Sequence, residues 1–141
     1  MQFTQESIDK ILAGEKDQTR RPVKPGDTAY FDDDTNSYVV FRNGRLKWKV
    51  GKIYAVCPGR GKHQVARIRI LDVSREDVRR ISAEDAMAEG FETRSDFFIV
   101  WCSFYDPQGI WTWEDRAAYI PLESRPSHLY DAWALDFELV V

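Results

Sequence analysis

The sequence predicts an α+β domain in which a small curved sheet, or partly closed β-barrel, carries short helices at its ends. Three observations predict it. Short apolar segments alternate with a two-residue period, turns rich in Gly, Pro and Asn separate them, and a few brief stretches switch to helical spacing. At 141 residues the chain has room for one domain, spanning 1–141. A chain of this size buries roughly two-thirds of its unfolded surface on folding, so it needs no covalent staples.

Each element has its own signal. Thr4 is an N-cap, Phe3 can pack on Ile8 as a staple, and Ile8, Ile11 and Leu12 share one face of a helix over residues 5–13 that stops at Gly14. Pro22 pushes Arg21 into an extended conformation, and Lys24-Pro25-Gly26-Asp27 is a turn. Strands over 28–31 and 38–41 flank the polar run Asp32-Asp33-Asp34-Thr35-Asn36, and Asn43-Gly44 makes a hairpin turn into a strand over 46–50. Residues 52–57 form a core strand that Pro58-Gly59-Arg60-Gly61-Lys62 breaks. The strand over 65–70 turns Ala66, Ile68 and Ile70 inward and Arg67 and Arg69 outward. Ser82, with Asp85 three residues on, starts a second helix that ends at Gly90. Phe97, Trp101 and Phe104 place a third helix over 96–104, which Asp106-Pro107-Gln108-Gly109 ends. Residues 110–128 show no clear period. The last strand, over 133–139, alternates Trp133, Leu135, Phe137 and Leu139 with Ala134, Asp136 and Glu138.

Composition narrows the function classes. Twenty basic side chains against 23 acidic ones argue against a protein that coats nucleic acid non-specifically, while leaving room for a local basic cleft. Cys57 and Cys102 demand no bridge, and His63 and His128 lack the companions of a zinc site, so no metal and no cofactor is expected. The start of the chain has no basic region followed by an apolar run, and no apolar stretch approaches the ~20 residues of a membrane span. A cytoplasmic location with no membrane partner is the expectation. Nothing in the sequence specifies an oligomeric state.

The most probable working site is Gly14-Glu15-Lys16-Asp17-Gln18-Thr19-Arg20-Arg21, where a helix has just ended. In an extended exit Thr19 and Arg21 project to one side, and Lys16 lies one bend earlier. The guanidinium fork suits a phosphate or carboxylate, and a partly buried lysine suits proton transfer. Those residues alone leave two readings open, a ligand site and a solvated loop.

The motif Gly14-x-Lys16-x-x-Thr19-x-Arg21 after a short apolar helix resembles the signature of the ASCH domain family, within the PUA-like group of RNA-associated barrels. The likeness continues in Lys24-Pro25-Gly26-Asp27 and in the helix Ser82 to Glu89 that ends in Glu-Gly. The closing strand over 133–139 resembles the family's as well. Val50-Gly51-Lys52-Ile53-Tyr54-Ala55-Val56 and the loop after it look like those of larger, phage-associated members.

The resemblance implies a small PUA-like barrel whose partner is RNA or a modified nucleoside. Small bacterial members are amidohydrolases acting on acetylated cytidine through a lysine, a threonine and a glutamate, positions that match Lys16, Thr19 and Glu89. In that scheme Thr19 attacks the amide carbonyl, Lys16 takes and returns its proton, and Glu89 holds the lysine. Lys16 must then reach the Thr19 hydroxyl within hydrogen-bond range. Arg21 steadies an oxyanion or binds ribose or phosphate oxygens. Other members bind or cleave RNA, which leaves a binding module without turnover and a ribonuclease as alternatives. This chain departs from the small members by extra residues near 32–48 and 105–128.

Further candidates have bland counterparts. Arg60 and Lys62, in a Gly-rich loop, are either phosphate ligands or the charges of a solvated hairpin loop. Trp111, Trp113 and Tyr119 can stack on a base or pack the insertion onto the barrel, and Trp48 and Tyr54 carry the same ambiguity. Cys57 has no histidine positioned as its base. Asp32-Asp33-Asp34 lacks the glycine and distal glutamate of a calcium loop and reads as a hairpin tip.

Overall fold

The computed structural model describes residues 1–105 and 130–141. Helix α1 spans Gln5–Leu12. The Thr4 hydroxyl caps it by accepting the Ser7 amide at 3.1 Å, and Gly14 ends it in the left-handed region at φ +76°. Ile8 and Ile11 are buried, whereas Leu12, the last helical residue, is half exposed. The strands that follow are β1 Gln18–Pro22, β2 Asp27–Asp32, β3 Ser37–Arg42, β4 Arg45–Trp48, β5 Ile53–Val56 and β6 Ala66–Asp77. A short 3₁₀ turn over Val78–Arg80, helices α2 Ala83–Ala88 and α3 Arg94–Tyr105, and strand β7 Asp131–Leu139 complete the described chain.

The strands form two antiparallel sheets. One has the order β1-β7-β6-β5, and the other β2-β3-β4. The barrel expected from the sequence is not closed among the described residues. The sheets meet instead through side chains. The ladder between β6 and β7 shifts register between Ile70 and Asp72, and at that irregularity the buried Ser37 hydroxyl of β3 donates to the Asp72 carboxylate. It also accepts the Val73 amide at 3.4 Å. The extra residues near 32–48 supply β3 and β4, with Asn43 and Gly44 both at positive φ in the hairpin between them.

Strand β7 lies between β1 and β6, and it is buried on both faces over most of its length. Trp133, Leu135 and Phe137 join a core with Ile8, Ile68 and Ile70. Ala132, on the opposite face, joins a second core with Ala86, Phe97, Phe98 and Trp101 under α2 and α3. This corrects the simple in-and-out alternation expected for the closing strand. Helix packing hides its first half on both sides, while Leu139, at its far end, is 39% exposed. Strand β6 likewise runs past Ile70 to Asp77. Phe104 is 58% exposed, although it shares a spacing with the buried Phe97 and Trp101.

Trp48 is buried in the first core, and the Tyr54 hydroxyl donates to the Lys47 carbonyl, so both aromatics serve packing. Asp33 to Asn36 form the turn of the β2–β3 hairpin. The expected stop at Asp106-Pro107-Gln108-Gly109 and the aromatics Trp111, Trp113 and Tyr119 lie outside the described residues, as does nearly all of the 105–128 insertion. Among the described residues, no helix is long and apolar enough to cross a membrane.

Candidate functional site

The turn after α1 is tied down at three points. The amides of Glu15 and Lys16 both donate to the Lys10 carbonyl, at 2.8 and 3.2 Å. The Asp17 amide donates to Ala88 O at 2.9 Å, and the Phe137 amide donates to Asp17 O at 3.0 Å. These bonds hold Lys16 between the ends of two helices, where it is only 5% exposed. Glu89 is the C-cap of α2, buried to a similar degree, and Gly90 follows at φ +95° to turn the chain away. The Lys10 ammonium secures that turn by donating to the Gly90 carbonyl at 2.6 Å.

The Lys16 ammonium donates to Glu89 Oε1 at 2.7 Å and to the Glu89 carbonyl at 2.9 Å. One residue thus supplies both a carboxylate and an unpaired carbonyl of a helix end, two acceptors suited to a cation. The other carboxylate oxygen accepts from Arg20 Nη1 at 3.0 Å. Arg20 Nη2 binds both oxygens of Glu76 at 3.1 Å and approaches Asp85 at 3.4 Å. Burial opposes the Arg20 charge, but Glu89 and Glu76 outweigh it and hold the guanidinium above its usual range. Burial pushes the Lys16 ammonium below the usual lysine range. Glu89 works against that shift without cancelling it, and Arg21 and Arg20 add to it.

Thr19 and Arg21 stand on the same strand. Thr19 faces Leu135 across the β1–β7 ladder and is 4% exposed. Its hydroxyl has no hydrogen-bond partner among the described residues, and Lys16 does not reach it. The expected Lys16–Thr19 hydrogen bond is therefore absent, because Glu89 holds the ammonium from two sides. Arg21 stacks over the Phe3 ring at 4.8 Å and donates through Nη2 to Gln2 O at 2.8 Å. Burial lowers its pKa, although a guanidinium stays protonated at neutral pH.

Lys16, Thr19, Arg20, Arg21 and Glu89 all line one cavity of about 390 Å³. Much of the remaining lining is aromatic and comes largely from α3 and the residues before it, with Phe91, Phe97, Trp101, Phe104 and Tyr105. Phe3, Thr4, Ser7 and Pro58 close further sides. A volume of this order with one polar cluster and an apolar wall matches the size and character of small-molecule sites. It also gives the exposed Phe104 a place at a cavity wall rather than in a core. Arg60 and Lys62 are exposed and do not line the cavity. Among the described residues, no group of three or more His, Cys, Asp or Glu side chains is placed to hold a metal ion.

Arg20 was not singled out from sequence. Its partners Glu76, Asp85 and Glu89 lie 56 to 69 residues away. No short-range spacing in the sequence marks these partners.

Compared by sequence, the chain matches no family model and no curated protein. By structure it is similar to several solved proteins, among them the following. The protein EF3133 of Enterococcus faecalis V583, described by the family model DUF984, superposes with a TM-score of 0.57 at 14% identity, covering 97% of this chain and 71% of that one. An ASCH domain from Lactobacillus crispatus JV V101 gives a TM-score of 0.53 at 19% identity, over 94% of this chain and 69% of that one. The hypothetical protein PH0355 gives 0.56 at 16% identity, over 99% and 96%. With two antiparallel sheets and three helices among the described residues, and nearly complete coverage by these neighbours, the chain has an ASCH-like α+β fold.

Proposed function

We propose that the cavity between β1, the end of α2 and α3 binds a modified nucleoside or an unpaired RNA base. The observation that carries this reading is the composition of the cavity wall, where a buried Lys16–Glu89 pair and Thr19 share the lining with aromatic rings. Aromatic rings hold a base by its faces, and buried polar groups read its edge. An open basic groove, which a simple strand-coating module needs, would expose its cations instead of burying them.

A hydrolytic role on an acylated cytidine-like amide is favoured by two further features. Thr19, whose hydroxyl has no partner among the described residues, lines the cavity, and so does Lys16, whose pKa is depressed by burial. A lysine acting as base must be neutral when the hydroxyl attacks, and burial promotes that form. In this scheme the Thr19 oxygen bonds to the amide carbon and its proton passes to Lys16. The amine leaves with that proton, and water then releases the acid from the threonine. Contacts of the Lys16–Thr19 kind often tighten only around substrate. A ribonuclease reading has less support, because Glu89 already pairs with both Lys16 and Arg20.

The test is an assay of the purified chain with acetylcytidine and with short RNA, run beside Lys16→Ala and Thr19→Ala. Release of cytidine and acetate that both variants abolish supports the hydrolase. Binding of acetylcytidine without turnover, weakened by Lys16→Ala, supports recognition alone. Turnover at wild-type rate in both variants would place the chemistry elsewhere.

A further inference from the structure

A second cavity of about 440 Å³ adjoins the first, and its charge is one-sided. Arg21, Lys24, Arg42 and Lys47 line it, and among the described residues no acidic side chain does. The chain as a whole is acidic by three charges, so this concentration is local and does not reflect bulk composition. Arg42 is fixed in place by Asp27, with bonds of 2.7 and 3.0 Å. The ammonium groups of Lys24 and Lys47 have no carboxylate partner among the described residues, although the Lys24 amide donates to Asp27, and Lys47 lies over the Trp48 ring at 4.7 Å. Arg21 Nε is buried without a hydrogen-bond partner among those residues. Burial lowers the Lys47 ammonium, and Arg42, Lys24 and Arg21 push it down further, which is the repulsion that a bound anion relieves.

Gln2, Arg21 and Tyr105 belong to the walls of both cavities. We propose that the second cavity is a phosphate subsite continuous with the first, so that the ligand is a nucleotide or an RNA strand and not a free nucleoside. That ligand class rests on the nucleoside reading of the first cavity; the anion site itself does not. Arg21 spans the junction. Its free Nε and the ammonium groups of Lys24 and Lys47 supply the charge-assisted donors that a phosphate needs. Arg42, already paired, serves as a fixed positive wall.

The experiment titrates the full chain with cytidine, cytidine 5′-monophosphate, a single-stranded oligocytidylate and inorganic pyrophosphate. It is repeated on Lys24→Gln/Lys47→Gln and on Arg60→Gln/Lys62→Gln, two exposed loop cations that line neither cavity. Wild type is expected to bind a phosphorylated probe about tenfold or more tightly than cytidine. The Lys24/Lys47 variant should lose that preference and keep its affinity for cytidine, while the loop variant keeps both. A preference shown by the monophosphate identifies a terminal phosphate, and one shown only by the oligomer identifies a backbone phosphate. For the oligomer, three cations imply a slope of log K against log salt near about −2, falling to about −0.7 in the Lys24/Lys47 variant. Pyrophosphate binding that this variant abolishes supports the anion site even if cytidine does not bind, in which case the nucleoside reading fails alone. Equal affinity for cytidine and every phosphorylated probe overturns the proposal, as does absence of binding by all phosphorylated probes. So does a phosphate preference lost only in the loop variant.

Discussion

Replacing Glu89 by glutamine tests the network at the base of the first cavity. Two buried cations converge on this carboxylate, Lys16 at 2.7 Å and Arg20 at 3.0 Å. Removing one partner of a buried pair typically costs about 3–5 kcal/mol, since the other charge is left without compensation. Three features place Glu89→Gln at the lower end. The amide keeps an acceptor oxygen, Arg20 retains Glu76, and Lys16 can shed its proton because its pKa is already depressed. The expected loss is about 3 kcal/mol, which lowers the urea midpoint by about 2 M for an m-value of about 1.5 kcal/mol per M. With Glu89 gone the Lys16 pKa falls further, so part of the loss is recovered as pH rises toward the ordinary lysine value. Lys16→Met should cost far less, about 1 kcal/mol, because Glu89 remains paired with Arg20. Urea unfolding of both variants beside the wild type measures the asymmetry. A Glu89→Gln chain as stable as the wild type, or a Lys16→Met chain equally damaged, would refute the reasoning.

Three more variants probe the frame around the site. Burial, with Asp72 and Asp85 nearby, raises the Asp136 carboxyl to about 6. A folded pKa above the unfolded value means that stability falls as pH climbs from about 4 to about 6 and then levels off. Asp136 is half-buried and solvent screens it, so Asp136→Asn is expected to stabilise by only about 1 kcal/mol at pH 7, or about 3 °C in Tm, and by little at pH 4. Thermal melts at the two pH values check this, and an unchanged Tm at pH 7 would contradict it. Gly90→Ala places a Cβ at φ +95°, 2.9 Å from Lys10 Cδ, whereas the same change at Gly14 meets nothing within 4 Å. Gly90→Ala is therefore expected to cost about 2 kcal/mol against about 1 for Gly14→Ala, read as denaturation midpoints, and equal losses would remove the packing part of the argument.

Local signals carried most of the fold. Thr4 and Ser82 cap helices, Gly14 and Gly90 end them, and Asn43-Gly44 closes a hairpin, each because one residue's chemistry suffices. What stayed hidden depends on distant partners. The extension of β6 past Ile70 carries Asp72 and Glu76, whose polarity reads as a strand end until Ser37 and Arg20 appear beside them. The double burial of β7 depends on α2 and α3, which its own alternation does not reveal. At the site, Lys16 and Glu89 meet across 73 residues, and no spacing rule joins them. That pairing entered through the family resemblance, while Arg20, outside the motif, escaped notice. The cations of the second cavity come from β1, the turn after it, β3 and β4, and separately each reads as a surface charge.

The energetics of this network bear on why it exists. A buried ion pair is a weak source of stability, because desolvation consumes much of the attraction and a well-packed apolar pair often does as well. This chain nevertheless buries Lys16, Arg20 and Glu89 beside a core rich in aromatic side chains. Selection for stability alone gives no reason to place charges there. The need of the proposed ligand site for fixed, partly desolvated charge supplies one, since preorganised charge in a low-dielectric cavity acts strongly on a ligand. The arrangement of bonds agrees with that need. Arg20, with three carboxylates near it, anchors Glu89; Glu89 anchors Lys16; and Thr19, next to Arg20 on the strand, is left free to meet whatever enters the cavity.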